Sequence, residues 1–221
     1  MDIERARFNM VEQQIRTWEV LDPGVLDLLY VVRREEFVPP THRLLAFSDL
    51  ELPLTAGGNP GEKMLPPKVE ARILQEVAPK PGDRVLEVGT GSGYMAALLA
   101  SRANEVVSVE INPLLKEMAE NNLRRAGILN VRLALGDGVR GWADARGFDV
   151  IVLGGSVPIL PDELLNGLVV GGRLFAVVGE APVMSARLIT RLAGNSFNAI
   201  DLFETVLAPL RNAREPTRFS F

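Results

Sequence analysis

Residues 85–94 read Val85-Leu86-Glu87-Val88-Gly89-Thr90-Gly91-Ser92-Gly93-Tyr94. An apolar, β-like run carrying an acid passes straight into a turn with glycine at every second position. An Ala- and Leu-rich helical stretch over residues 95–101 follows at once. Glycine lets main chain approach a ligand closely and adopt dihedrals that a Cβ forbids. A strand, a glycine-rich turn and a helix N-terminus together make a nucleotide-type site. A second acid, Glu110, ends another short β-like run, Val106-Val107-Ser108-Val109, 21 residues after Gly89. A carboxylate at that separation suits the two hydroxyls of a ribose. The plainer alternatives are a tight turn with no ligand and a solvated strand end.

The glycine spacing narrows the ligand. A dinucleotide fingerprint, G-x-G-x-x-G, requires a third glycine at position 94, where this chain has Tyr94. The pattern is instead E-x-G-x-G-x-G, with Glu87 two residues ahead of the first glycine. A pyrophosphate prefers a turn free of negative charge, whereas a ligand bearing an ammonium group welcomes a carboxylate. S-adenosylmethionine has an adenosine, no phosphate and an amino-acid tail, so it suits this turn better than NAD. An NAD-linked oxidoreductase stands as the rival reading.

Bulk properties bound the rest. With 221 residues, 47% of them hydrophobic, the chain can bury one sizeable core. A net charge of −4 argues against a general nucleic-acid binder, whose footprint is basic. The absence of cysteine excludes disulfides, zinc–thiolate sites and thiol nucleophiles, and a single histidine, His42, argues against a metal site. The start, Met1-Asp2-Ile3-Glu4-Arg5, is charged and lacks a signal-peptide apolar region, and no apolar run reaches membrane-spanning length. A cytoplasmic protein with no nucleic-acid or membrane partner is expected.

Strand candidates fall at 84–88, 106–110, 131–135, 148–153 and 171–178, with helical patterns at 113–126 and from Pro161. Two more strand-like runs, 186–192 and 202–210, flank the turn Ala193-Gly194-Asn195-Ser196. Successive β-α units followed by a hairpin predict an α/β fold: a doubly wound, mostly parallel, Rossmann-like seven-stranded sheet with an antiparallel C-terminal hairpin. Upstream, 3–18 and 23–32 read as helices, 52–67 as a Gly/Pro-rich loop over the substrate, and 67–77 as a helix. The expected organisation is effectively one domain: a helical extension with the substrate loop (1–80), a cofactor-binding core (81–210) and a peripheral basic tail (211–221). The run Arg33-Arg34-Glu35-Glu36 is expected to be a solvated charge cluster.

Met10-Val11-Glu12-Gln13-Gln14-Ile15-Arg16, Arg34-Glu35-Glu36-Phe37-Val38-Pro39 and the segment Asp83 to Tyr94 resemble protein-L-isoaspartate O-methyltransferases. Gly136-Asp137-Gly138, Phe148-Asp149 and Gly171-Gly172-Arg173-Leu174 continue the resemblance, which covers residues 8–210. The resemblance implies that Glu87 and the turn Gly89, Thr90, Gly91, Ser92, Gly93 hold the methionine part of S-adenosylmethionine, with Tyr94 at its border. It gives the ribose to Glu110, places Ile111 beside the adenine, and gives the adenine amino group to Asp137 next to Gly138. It implies a peptide or protein acceptor with an isoaspartyl carboxylate, methylated in the repair of damaged proteins.

The acceptor loop departs from that pattern. The family reads Gly-Gln-Thr-Ile-Ser-x-Pro, with a serine on the isoaspartyl carboxylate. This chain reads Gly61-Glu62-Lys63-Met64-Leu65-Pro66-Pro67. Leu65 has no hydrogen bond to donate, and a buried carboxylate without partners is costly. Lys63, Met64 and Leu65 are the expected acceptor-side residues, with Lys63 a candidate cationic replacement for the lost hydroxyls. A divergent member that binds the cofactor but methylates another acceptor is the alternative. No catalytic base stands out, and none is needed for an acceptor already ionised at neutral pH.

Overall fold

The computed structural model describes residues 2–57, 59, 61–142 and 147–216. Gly58, Pro60 and residues 217–221, which the sequence reading assigned to the loop and the tail, lie outside the described residues.

Two short strands, β1 (Leu52–Pro53) and β2 (Lys63–Met64), pair antiparallel with Leu52 opposite Met64. The main sheet is built from β3 (Arg84–Val88), β4 (Glu105–Glu110), β5 (Val131–Leu135), β6 (Phe148–Val157), β7 (Leu168–Glu180), β8 (Val183–Ala193) and β9 (Ser196–Glu204). Its order is β5-β4-β3-β6-β7-β8-β9. The first five strands are mutually parallel, and β8 and β9 return antiparallel. This is the doubly wound sheet with a C-terminal hairpin that the β-α alternation predicts.

The helices are α1 (Ile3–Asn9), α2 (Pro23–Val31), α3 (Pro67–Val77), α4 (Tyr94–Ala100), α5 (Pro113–Arg125) and α6 (Asp162–Asn166). Every residue of α4 is buried, as an all-apolar YMAALLA sequence behind the glycine turn requires. Prolines open α2, α3 and α5 at the first turn, where a missing N–H leaves no bond unmade. Asn112 caps α5, its side-chain oxygen accepting from the Leu114 N–H at 2.9 Å.

Three expectations are corrected. The segment 3–18 is helical but not one regular helix: after α1 it widens into a π turn over Met10–Ile15, where the Arg16 N–H reaches the Val11 carbonyl five residues back. The segment 52–67 is a loop pinned at both ends by β1 and β2, not an unpaired one. The last strand is Ser196–Glu204 rather than 202–210, because the tight turn at 194–195 starts the return immediately. Residues 205–210 leave the sheet and lie against the end of β6: the Ser156 N–H donates to Ala208 O at 3.0 Å, and the Leu210 N–H to Ser156 O at 2.9 Å.

The N-terminal segment shares the core of the sheet. Met10, Val11, Ile15, Val25 and Leu29 belong to the same buried cluster as Val85, Val106, Val150 and Phe175. Trp18 packs edge-on against Phe203 of β9, ring centroids 4.6 Å apart. The opposite face of the sheet packs its own cluster, around Leu86, Val107, Ile151 and Leu174, beneath α6. No helix among the described residues is long and apolar enough to cross a membrane.

The run Arg33-Arg34-Glu35-Glu36 is solvated only at its ends, where Arg33 and Glu36 pair at the surface. Arg34 and Glu35 are buried, paired with Glu70 and Arg7 respectively. Charges inside a fold persist when a partner and hydrogen bonds replace the lost water.

Candidate active site

The chain enters the sheet at β3, winds outward to β5, then crosses back to β6 on the other side of β3. Ligands bind in open α/β sheets at the carboxyl ends of strands where this order reverses. The cleft of this protein lies there. It is walled by the ends of β3, β4 and β6, the turn after β5, the loop between β1 and β2, and residues 207–211.

The glycine turn forms the floor of the cleft. Gly89, Gly91 and Gly93 take φ of +91°, +55° and +83°, a region that side-chain-bearing residues rarely occupy. Gly89 faces Gly154 of β6 so closely that a Cβ on Gly154 would lie 2.6 Å from the Gly89 carbonyl oxygen. Gly89, Gly91, Glu110, Ile111, Asp137 and Gly138 all line the cleft, as do Lys63 and Leu65 from the loop. The structure thus brings together residues separated by up to 75 positions in the chain.

The remaining residues singled out from the sequence lie behind that wall. Thr90 and Ser92 are buried, and Gly93 packs on Ala119 of α5. Glu87 is buried below the turn, its carboxylate accepting from Ser108 at 2.5 Å, and Ser108 in turn contacts the Thr90 hydroxyl at 2.5 Å. Burial raises the Glu87 carboxyl to about 8, with the Ser108 hydrogen bond pulling the other way and the nearby Glu110 charge adding to the rise. Tyr94 points away from the cleft, edge-on to Phe37 and under the Arg34 guanidinium. Met64 is a core side chain.

Glu110 is held by main chain on both sides. It accepts from the Gly91 and Asn112 N–H groups, each at 2.9 Å. Asp137 accepts from the Val139 N–H at 3.1 Å and from the Asn212 side chain at 2.9 Å. Where β2 borders the cleft, Lys63 pairs with Glu51 at 2.8 Å, and Leu65 presents an apolar side chain.

Three residues of the cleft carry no sequence motif of their own. Glu62 is buried and accepts from Thr55 at 2.6 Å, from Asn112 at 2.8 Å and from Arg211. These donors, Thr55 foremost, hold its carboxyl below the usual range. Asn112 links Glu110 to Glu62, and its one legible signal is the Asn-Pro pair that opens α5. Arg211 comes from the segment expected to be peripheral, yet it stands on the cleft wall.

The cleft therefore carries Glu51, Glu62, Glu110 and Asp137 against two cations, Lys63 and Arg211. That balance disfavours a pyrophosphate and suits a cationic ligand. The glycine cradle, the doubly oriented Glu110 and the apolar lining from Val88, Val109 and Ile111 fit an adenosine with a positively charged tail.

The family model described as Protein-L-isoaspartate(D-aspartate) O-methyltransferase (PCMT) matches residues 5–215. The chain belongs to this family. A protein-L-isoaspartate O-methyltransferase of Methanospirillum hungatei is 37% identical over 84% of this chain and 84% of its own length. Protein-L-isoaspartate O-methyltransferase 2 of Marinobacter nauticus is 37% identical over 95% of this chain and 93% of its own. A solved protein-L-isoaspartate O-methyltransferase superposes with a TM-score of 0.78 at 25% identity, covering 94% of this chain. The present chain spans 65% of that solved chain's length. A Plasmodium falciparum structure in complex with S-adenosyl-L-homocysteine shares the fold, with a TM-score of 0.75 at 20% identity. Family membership makes the protein an S-adenosylmethionine-dependent methyltransferase.

Proposed function

We propose that the protein transfers a methyl group from S-adenosylmethionine to the free carboxylate of an isoaspartyl residue in a damaged peptide or protein. The observation that carries this reading is the placement of Gly89, Gly91, Glu110 and Asp137 around one cleft whose other end opens on the loop residues Lys63 and Leu65. Glu110 would take the ribose hydroxyls, with its two backbone donors fixing both oxygens. Asp137 and Gly138 would border the adenine, with Ile111 against its face. The Gly89–Gly93 turn would receive the methionine part, and Glu87 would act from beneath it, through Ser108 and Thr90 and through its charge.

When bound, S-adenosylmethionine supplies a methyl on a cationic sulfur, which a carboxylate oxygen takes while the C–S bonding pair stays on sulfur. The acceptor carboxylate is already ionised at neutral pH, so the reaction asks no proton transfer of the protein. What the chain contributes is alignment and exclusion of water. Leu54, Leu65 and Leu207 supply an apolar surround at the acceptor end. A cytoplasmic site of action goes with this role.

The test is transfer of labelled methyl from S-adenosylmethionine to a matched pair of peptides, one isoaspartyl and one aspartyl. Label is expected on the isoaspartyl peptide alone. No label on either, in a preparation that binds S-adenosylhomocysteine, would remove the acceptor assignment and leave the cofactor assignment standing.

A further inference from the structure

The acceptor proposed above is an anion, and it enters a cleft with four carboxylates on its wall. Leu65, on the same wall, offers no side-chain donor. A cation on the wall is the natural partner for the acceptor carboxylate, and among the residues lining the cleft the cations are Lys63 and Arg211.

Lys63 is the weaker candidate on geometry. Its ammonium is held by Glu51 at 2.8 Å, and it is a point charge on a flexible stem. Arg211 is differently placed. The segment before it is fixed by three hydrogen bonds to buried Ser156: its N–H to Ala208 O, its carbonyl from the Leu210 N–H, and its hydroxyl to Leu207 O at 2.9 Å. The residue after it, Asn212, is tied to Asp137.

The Arg211 side chain is 47% exposed and spends a single terminal nitrogen on Glu62. A guanidinium has five N–H donors in a planar fork that matches a carboxylate. With one edge anchored on Glu62, the rest of the fork is open to the cleft. Glu62 stays ionised for this task, because Thr55, Asn112 and Arg211 all donate to it.

Resting on the proposed function, we infer that Arg211 is the specificity residue for the acceptor carboxylate and that Glu62 positions its guanidinium.

The experiment uses the full chain and three readouts: KM for an isoaspartyl peptide, S-adenosylhomocysteine affinity by calorimetry, and inhibition by the same peptide with that carboxylate capped as a carboxamide. The wild-type protein is expected to prefer the carboxylate form over the carboxamide by at least about tenfold. Arg211→Ala is expected to raise KM by about 10- to 100-fold, as for loss of a charge-assisted pair, and to erase that preference. S-adenosylhomocysteine affinity is read alongside because Glu62 joins Arg211 to Asn112 and through it to Glu110; the rise in KM and the loss of preference should exceed any fall in that affinity by at least about tenfold. Arg211→Gln, which keeps a donor but no charge, should behave like the alanine variant, and Arg211→Lys should recover part of the preference. Glu62→Ala should raise KM, and Glu62→Gln, which keeps an acceptor oxygen for Arg211, should restore most of it.

An unchanged KM and an unchanged preference in Arg211→Ala and Arg211→Gln would overturn the assignment. Collapse of the preference in Lys63→Ala, with Arg211→Ala retaining it, would transfer the role to Lys63. Wild-type protein that binds S-adenosylhomocysteine but labels no isoaspartyl peptide would bring down the acceptor reading itself, a result distinguishable from failure of the variants alone.

Discussion

Arg34 donates to the main-chain carbonyl of Leu65 at 2.7 Å from a position with no solvent exposure of its side chain. The same guanidinium holds Glu70 in the first turn of α3, donates its Nε–H to the Ala46 carbonyl at 3.0 Å, and lies over the Tyr94 ring at the start of α4. One buried side chain thus connects the acceptor loop to the helix that follows the glycine turn. The β1–β2 loop and the glycine turn are tied through the interior as well as across the cleft.

Removing that guanidinium leaves Glu70 buried without a counter-charge. Burial already pushes the Glu70 carboxyl up to about 7, with Arg34 pulling it back. Arg34→Ala is expected to cost about 3–5 kcal/mol near pH 8, as for breaking a buried pair. The sign of the pH dependence follows from linkage. A carboxyl raised above its unfolded value stabilises the fold fully below about 4.5 and loses that contribution as pH rises through the folded value. Without Arg34 the folded value rises further, so the variant's deficit should be smaller at pH 5.5 than at pH 8. Urea unfolding at the two pH values checks this, and a deficit that grows toward acid would refute it. Arg34→Met with Glu70→Leu should regain most of the stability while KM for the acceptor peptide stays raised, because Leu65 has lost its tether.

Leu65→Ser places a hydroxyl donor on the cleft wall, as the resemblance read from the sequence implies for an isoaspartyl acceptor. Leu65 is half-buried against the core, so the change removes some packing and should lower the melting temperature slightly. A new hydrogen bond to a charged acceptor contributes about 1.5–3 kcal/mol. The expected result is a fall in KM for the isoaspartyl peptide of roughly tenfold with kcat little changed. A rise in KM would mean that the apolar side chain itself contacts the acceptor.

The glycine turn and Glu110 are legible in sequence because their chemistry is local. Positive φ at Gly89, Gly91 and Gly93 can be satisfied cheaply by glycine alone, and Glu110 sits at the end of a strand set by its neighbours. Arg34 and Arg211 are not legible in the same way. Their partners Glu70 and Glu62 lie 36 and 149 residues away, so nothing near them in the chain separates them from ordinary surface charges. The same holds for residues 205–210, whose alternation reads as strand while their hydrogen bonds go to Ser156 at the end of β6. Local periodicity reports a segment's conformation, and tertiary pairing decides which neighbour it serves.

Gly154 and Gly155 lie where β6 meets the glycine turn and the segment 207–210, and neither position has room for a side chain. A Cβ on Gly154 would meet the Gly89 carbonyl oxygen at 2.6 Å, and one on Gly155 the Ala208 oxygen at 3.0 Å. Both contacts are backbone, which cannot rotate away. Gly154→Ala is expected to cost about 1–3 kcal/mol and to weaken S-adenosylhomocysteine binding at least about tenfold by displacing the turn. Gly82, with nothing near its missing Cβ and an ordinary φ, is the control: Gly82→Ala should leave binding unchanged. Equal effects of the two substitutions in calorimetry would sink the argument.

Glu87 makes cofactor binding a proton-linked event. Burial and the neighbouring Glu110 charge raise its carboxyl to about 8, so the ligand-free protein holds it largely protonated at pH 7. An ammonium group arriving above the turn favours the ionised form. Binding should therefore expel part of a proton, and affinity for S-adenosylhomocysteine should rise with pH between 6 and 7.5 while the ligand's own amine stays charged. Calorimetry in two buffers of different ionisation enthalpy measures the released proton directly. Glu87→Gln, which keeps an acceptor for Ser108 but cannot ionise, should bind more weakly and release none. Proton release that persists in the variant would assign the linkage to another group, and none in the wild-type protein would put the ammonium beyond the reach of Glu87.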